Sequence, residues 1–174
     1  MGYHHIAIAT QDMQATHRFY SEAMGFTLVR AEKAQTSPDA WAKHFFYDTG
    51  NGEMMAFWEM HDDNIDPDFP TAISTGLGLP MWTNHIAFSA DSIDDLDAAR
   101  ERLCANGHDV TEIDHHWCRS IYANDPNGIM VEFCVSTRDF DENDHRQALA
   151  ALDATEMPDE PAPIVTMHKA AATV

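Results

Sequence analysis

His5-Ile6-Ala7-Ile8 returns as His85-Ile86-Ala87-Phe88, and Asn51-Gly52-Glu53-Met54-Met55-Ala56-Phe57 returns as Asn127-Gly128-Ile129-Met130-Val131-Glu132-Phe133. A spacing of about eighty residues is too long for a solenoid unit and too short for two full domains, so it indicates two supersecondary modules duplicated inside one fold. When the copies are overlaid, His5 meets His85 and Glu132 meets Ala56. The duplication therefore offers two imidazoles and one carboxylate, with the fourth corner empty.

The flanking sequence repeats in the same order. Tyr3 to Thr10 carries β-compatible apolar residues and reads as a strand; Asp12 caps a helix running to about Met24, and Gly25 ends it. Strands follow at Thr27 to Glu32, near Lys43 to Asp48 and at Glu53 to Met60. The second copy gives a strand over Trp82 to Ala90, a helix from about Ser92 to Ala105 stopped by Asn106-Gly107, and strands near Asp109 to Ile113, Arg119 to Asn124 and Ile129 to Val135. Each half is a βαβββ unit. The expected organisation is a metal-binding domain over 1–136, made of modules 1–61 and 81–136 joined by a Pro-, Gly- and Asp-rich loop at 62–80, with a helical, Pro/Ala-rich tail at 137–174.

Composition narrows the function classes. A chain of 174 residues can bury a core without disulfides, and its three cysteines, Cys104, Cys118 and Cys134, show no CxxC spacing, which points to a reducing cytoplasm. The opening Met1-Gly2-Tyr3-His4-His5 has no basic-then-apolar pattern, and no run approaches membrane-spanning length, so neither export nor membrane insertion is expected. With 29 acidic residues against 10 basic ones, the formal charge of -19 repels phosphate backbones and anionic lipid, and nucleic-acid binding is disfavoured. Phosphate-binding Gly-rich loops and nucleophile elbows are absent from the sequence.

Side chains alternate across a strand, so His5 shares its face with Ala7 and Ala9, and His85 shares its face with Ala87 and Ser89. Such small neighbours leave room for a metal and a ligand in front of each imidazole. Glu132 sits among Ile129, Met130, Val131 and Phe133, where an unpaired carboxylate is costly and a bound cation removes that cost.

These residues closely resemble the vicinal oxygen chelate superfamily, which holds glyoxalase I, fosfomycin-resistance proteins, methylmalonyl-CoA epimerase and the type I extradiol ring-cleavage dioxygenases. The resemblance runs from about Tyr3 to Val135 and rests on the His-Ile-Ala strand openings, on Phe19-Tyr20 before Gly25-Phe26, and on Asp125-Pro126-Asn127-Gly128 leading to Glu132. It implies an α+β fold whose paired modules form a U-shaped mixed sheet around a divalent metal, with His5, His85 and Glu132 at the ligand positions. Homodimerisation is a further expectation of the resemblance.

Glyoxalase I has a fourth protein ligand where this chain has Ala56. Glu59 is three residues on with opposite strand parity and should face away. Two histidines and one carboxylate with open positions match the pattern of non-haem Fe(II) oxygenases. Ile113-Asp114-His115, then Ile121-Tyr122-Ala123-Asn124-Asp125-Pro126-Asn127-Gly128, then Glu132 resembles the extradiol signature, in which the residues matching His115 and Tyr122 hydrogen-bond the catecholate and the oxygen species. The family also carries an acid-base histidine that would fall near Gly52 or Glu53; His61 and His44 are the two candidates to replace it.

The expected function is an extradiol-type dioxygenase inserting O2 into a catecholic aromatic substrate, using Fe(II), with Mn(II), Zn(II), Ni(II) or Co(II) as other ions. Two alternatives stand beside it. One is a lyase or isomerase working through an enediolate, for which Glu59 is the evident base. The other is a non-catalytic protein that sequesters a small molecule such as an antibiotic.

Overall fold

The computed structural model describes residues 2–157 and 159–172. Strand β1 (His5–Thr10) leads to Asp12, whose side chain accepts from the Ala15 N–H and starts α1 (Met13–Arg18). The coil then widens into a π-helical stretch over Phe19–Ala23. Strands β2 (Thr27–Gln35), β3 (Trp41–Asp48) and β4 (Met54–His61) complete the first βαβββ unit. A connecting loop bearing the short helix α2 (Ile73–Gly76) reaches the second unit: β5 (His85–Ser89), α3 (Ile93–Ala105), β6 (Val110–Asp114), β7 (Cys118–Asn124) and β8 (Met130–Ser136).

The α+β class and the paired units follow the sequence reading. Within one chain, however, the modules do not join into a continuous U. They form two sheets, one ordered β1-β4-β3-β2 and the other β5-β8-β7-β6-β9. The last strand, β9 (Ile164–His168), comes from the tail, which also carries α4 (Glu142–Ala151). The Pro/Ala-rich composition of the tail gave no indication that it would complete a sheet. β9 docks because β6 had a free edge, and an unpaired row of backbone donors and acceptors is a template for another strand.

Register realises the internal repeat. Ala7 pairs with Ala56 across the parallel β1/β4 ladder, and Ala87 pairs with Glu132 across β5/β8. On the next strand, Phe46 lies opposite Ala56, as Tyr122 lies opposite Glu132. Ala56 and Phe46 in the first module are thus the counterparts of Glu132 and Tyr122 in the second.

Strand parity then decides where the core lies. Met55 and Phe57 flank Ala56 and are buried in one hydrophobic cluster with Tyr20, Leu96, Leu103 and Phe133. Val131 and Phe133, which flank Glu132, join the same cluster. Both sheets therefore turn their helix-side faces into a common core, and the faces bearing His5 and Glu132 point away from it. Polar ties lock the modules together in this way. Tyr20 donates from its hydroxyl to Asp125 Oδ2 at 3.0 Å, and Arg102 caps the end of the π-helical stretch by donating to the Ala23 and Met24 carbonyls at 3.0 and 2.8 Å. The Asp125 turn requires a glycine at its end: Gly128 has φ +73°, and a Cβ there would meet Ala72 Cβ at 2.9 Å.

Candidate metal centre

His85 opens β5, and its Nδ1 lies 2.8 Å from the Trp82 carbonyl oxygen. A carbonyl only accepts, so Nδ1 carries the proton and Nε2 presents a lone pair. That nitrogen lies 3.0 Å from Glu132 Oε2. A lone pair facing a carboxylate oxygen at this distance needs a proton or a metal cation between the two. The tautomer set by a backbone carbonyl behind the ring is the arrangement of a metal-ligating histidine, so this donor pair fits a divalent ion.

Glu132 is 6 % exposed, and Tyr122 donates to its Oε1 at 3.2 Å. His115 Nε2 lies 3.1 Å from the same phenolic oxygen. With the Tyr122 proton directed at Glu132, His115 Nε2–H is the donor to the tyrosine oxygen. Burial, reinforced by the Glu132 charge and opposed by a hydrogen bond with Ser120, pushes the Tyr122 phenol well above its ordinary value. Tyr122 thus remains a neutral hydrogen-bond donor. His115, Tyr122, Glu132 and His85 form one continuous polar chain along the outward face of the second sheet.

His5 lies on the other sheet. Its Nδ1 is 2.8 Å from His4 Nδ1, and its ring packs against His44 and Phe46 with centroid distances of 6.1 and 5.5 Å. Among the described residues no three His, Cys, Asp or Glu side chains come close enough to hold a metal ion. The chain brings His85 and Glu132 together with Tyr122 and His115, and leaves His5 apart from them. The parity of the common core is the physical reason.

The two spare histidines separate cleanly. His44 is on β3 opposite Trp58, on the same face as His5. It is 5 % exposed, stacks on Trp58 at 3.6 Å, and its Nε2 has no hydrogen-bond partner. Burial lowers its pKa, with Glu32 opposing and His5 adding to the shift. His61 has the opposite parity: it stacks on Trp41 at 3.9 Å, with Nε2 2.8 Å from Glu59 Oε1. Glu59 also takes a 2.7 Å hydrogen bond from Lys43 Nζ, away from the His5 face.

Sequence reading missed the Trp82 carbonyl that orients His85, because a backbone oxygen carries no side-chain signature.

A profile described as the Glyoxalase/Bleomycin resistance protein/Dioxygenase superfamily matches residues 2–133. The uncharacterized protein YaeR of Escherichia coli (strain K12) is 29% identical over 129 residues, covering 74% of this chain and 92% of that protein. Among solved structures, a glyoxylase/bleomycin resistance protein/dioxygenase domain from Frankia sp. EAN1pec superposes with a TM-score of 0.57 at 19% identity, covering 78% of this chain and 98% of that one. A mutant of the fosfomycin resistance protein FosX from Listeria monocytogenes, complexed with Mn(II) and 1S,2S-dihydroxypropylphosphonic acid, gives a TM-score of 0.54 at 22% identity, covering 78% and 93%.

Proposed function

Because the chain belongs to the Glyoxalase/Bleomycin resistance protein/Dioxygenase superfamily, we propose that it is an extradiol-type ring-cleavage dioxygenase acting on a catecholic substrate. The observation that carries the reading is the polar chain from His115 through Tyr122 to Glu132 and His85. His85 and Glu132 would hold Fe(II), with Mn(II) as the other ion, and His5 of the partner subunit would be the third ligand in a homodimer. The outward-facing ligand surfaces support a homodimer, because two copies facing one another would complete two sites.

Fe(II), when bound, supplies the Lewis acidity that ionises a chelated catechol hydroxyl and the redox chemistry toward O2. The residues of the chain do the rest. In the resting site Tyr122 donates its one proton to Glu132; when negative charge develops on the substrate oxygens, rotation of the hydroxyl would redirect that proton to them. His115 holds the tyrosine oxygen from behind and can pass a proton forward through it. Glu132 accepts from Tyr122 and thereby keeps its carboxylate oriented toward His85.

The enediolate reading is weakened because Glu59, its evident base, is engaged by Lys43 and His61 on the opposite face, and because Ala56 supplies no fourth carboxylate. The test is O2 consumption by anaerobically Fe(II)-loaded protein across a panel of catechols, with absorbance followed for the yellow ring-opened product. Uptake with a yellow product is the expected result. No uptake by protein that demonstrably holds its iron would overturn the reading.

A further inference from the structure

A cleft of about 1330 Å³ lies between the β6–β7 turn and the segment that follows β8. One wall is His115, His116 and Trp117, and the other includes Phe140, Ala148 and Met157. We propose that this cleft receives the substituent projecting from the chelating end of the substrate, and that the substituent is bulky, apolar and not anionic. The inference rests on the ring-cleavage reading and adds to it the part of the substrate that the chain selects.

Four observations carry it. First, the cleft is contiguous with the proposed site: His115 lines it, and the same side chain bonds Tyr122, the residue that donates to Glu132. Second, the wall made by the C-terminal segment lies outside residues 2–133, so it is an addition of this chain to the shared fold. Third, the segment is held in place from its ends. Asp141 and Asp144 form a capping box, Arg138 donates to Asp144 at 2.7 and 2.8 Å, and His116 Nε2 lies 3.1 Å from the Ala162 carbonyl. Meanwhile α4 buries none of its side chains and presents them freely. His116, at φ +68°, is the non-glycine residue with positive φ among the described residues, and the strain falls on the turn that forms the opposite wall.

Fourth, the lining selects by chemistry. Trp117 and Phe140 pack in a tilted arrangement with centroids 5.3 Å apart, and with Met157 and the alanines of α4 they supply apolar contact area. Glu142, Glu156 and Glu160 also line the cleft, and the Arg138 guanidinium is committed to Asp144. A carboxylated substituent would meet like charge there, whereas an alkyl or aryl group would not.

The experiment is anaerobic calorimetric titration of Fe(II)-loaded, full-length protein with catechol, 4-tert-butylcatechol and 3,4-dihydroxybenzoate, repeated with Ala148→Trp. Ala148 is exposed on α4, so the larger side chain fills the cleft without entering the core. The wild type should bind 4-tert-butylcatechol about tenfold more tightly than catechol and 3,4-dihydroxybenzoate more weakly than either. Ala148→Trp should abolish the preference for the alkyl group and leave catechol affinity unchanged. Equal binding of all three by the wild type would overturn the cleft assignment while leaving the ring-cleavage reading intact. A preference that survives Ala148→Trp, with a change of oligomeric size by light scattering instead, would also overturn it and assign the cleft to a second copy. Failure of plain catechol to bind would remove the ring-cleavage reading, and the inference with it.

Discussion

Glu132 combines two demands that seldom coexist: it is a carboxylate, and it is nearly buried on a strand whose neighbours form the core. Tyr122 and His85 occupy its two oxygens, and positive charge at His85 Nε2, from a proton or a bound cation, makes that burial tolerable; the proposed metal would supply it. Replacing Glu132 with Gln should therefore abolish metal uptake measured by elemental analysis, with the fold retained by circular dichroism. Tyr122→Phe separates binding from chemistry. The variant should keep full metal occupancy and lose about a hundredfold in kcat, the usual consequence of deleting one donor aimed at developing charge. Loss of metal in Tyr122→Phe would make the hold of Tyr122 on Glu132, rather than donation to substrate, its dominant role. His44 shows the opposite condition: it is a buried imidazole whose Nε2 has no partner, on the face that carries His5. Any assembly that brings His5 to a metal brings His44 with it.

Among the elements, β9 combines strand pairing with a charged contact. It pairs antiparallel with β6, and its His168 lies 2.8 Å from Glu112 Oε2. Glu112 also binds Arg119 and Arg100. Burial alone would raise the Glu112 pKa, but the hydrogen bonds from Arg119, His168 and Arg100 outweigh it and hold the carboxyl below the ordinary range. A carboxylate whose folded pKa is depressed stabilises the native state above its unfolded pKa and loses that contribution as pH falls through the folded value. β9 should thus stay docked at neutral pH and begin to release only below the ordinary glutamate pKa of about 4.3. Hydrogen exchange over residues 164–168 would register this as a loss of protection ahead of β8. Glu112→Gln should cost about 2 kcal/mol in urea unfolding at pH 7, because it removes the anion that Arg119 pairs with, while Arg100 keeps Asp97.

For the whole molecule, the decisive property is that the two sheets share a single core and face their ligand surfaces outward. Exposed apolar side chains accompany those surfaces: Trp82 is 65 % exposed, and Met167 of β9 is 56 % exposed. A homodimer that shares ligands between copies should appear as twice the chain mass in light scattering. It also allows complementation. His5→Ala and Glu132→Ala homodimers should each be inactive, whereas a heterodimer formed by co-expression should regain about half of the wild-type activity, since one of its two sites receives both intact partners. Absence of any rescue in a verified heterodimer would mean that each site is built within one chain.

Much of this was legible in the residues. The His-Ile-Ala repeat and the Asn-Gly runs determined two βαβββ units, because strand periodicity and turn chemistry are local properties that a duplication displays twice. The correspondence of Glu132 with Ala56 in the repeat, and the proximity of His115, Tyr122 and Glu132, also followed locally, since β6, β7 and β8 are neighbours in sequence and in space. The docking of β9 onto β6, the separation of His5 from His85 and Glu132, and the cleft beneath α4 did not follow. Each depends on which sheet face enters the shared core and on which edge stays open after the modules pack, and those outcomes are set by long-range contacts that no single segment encodes.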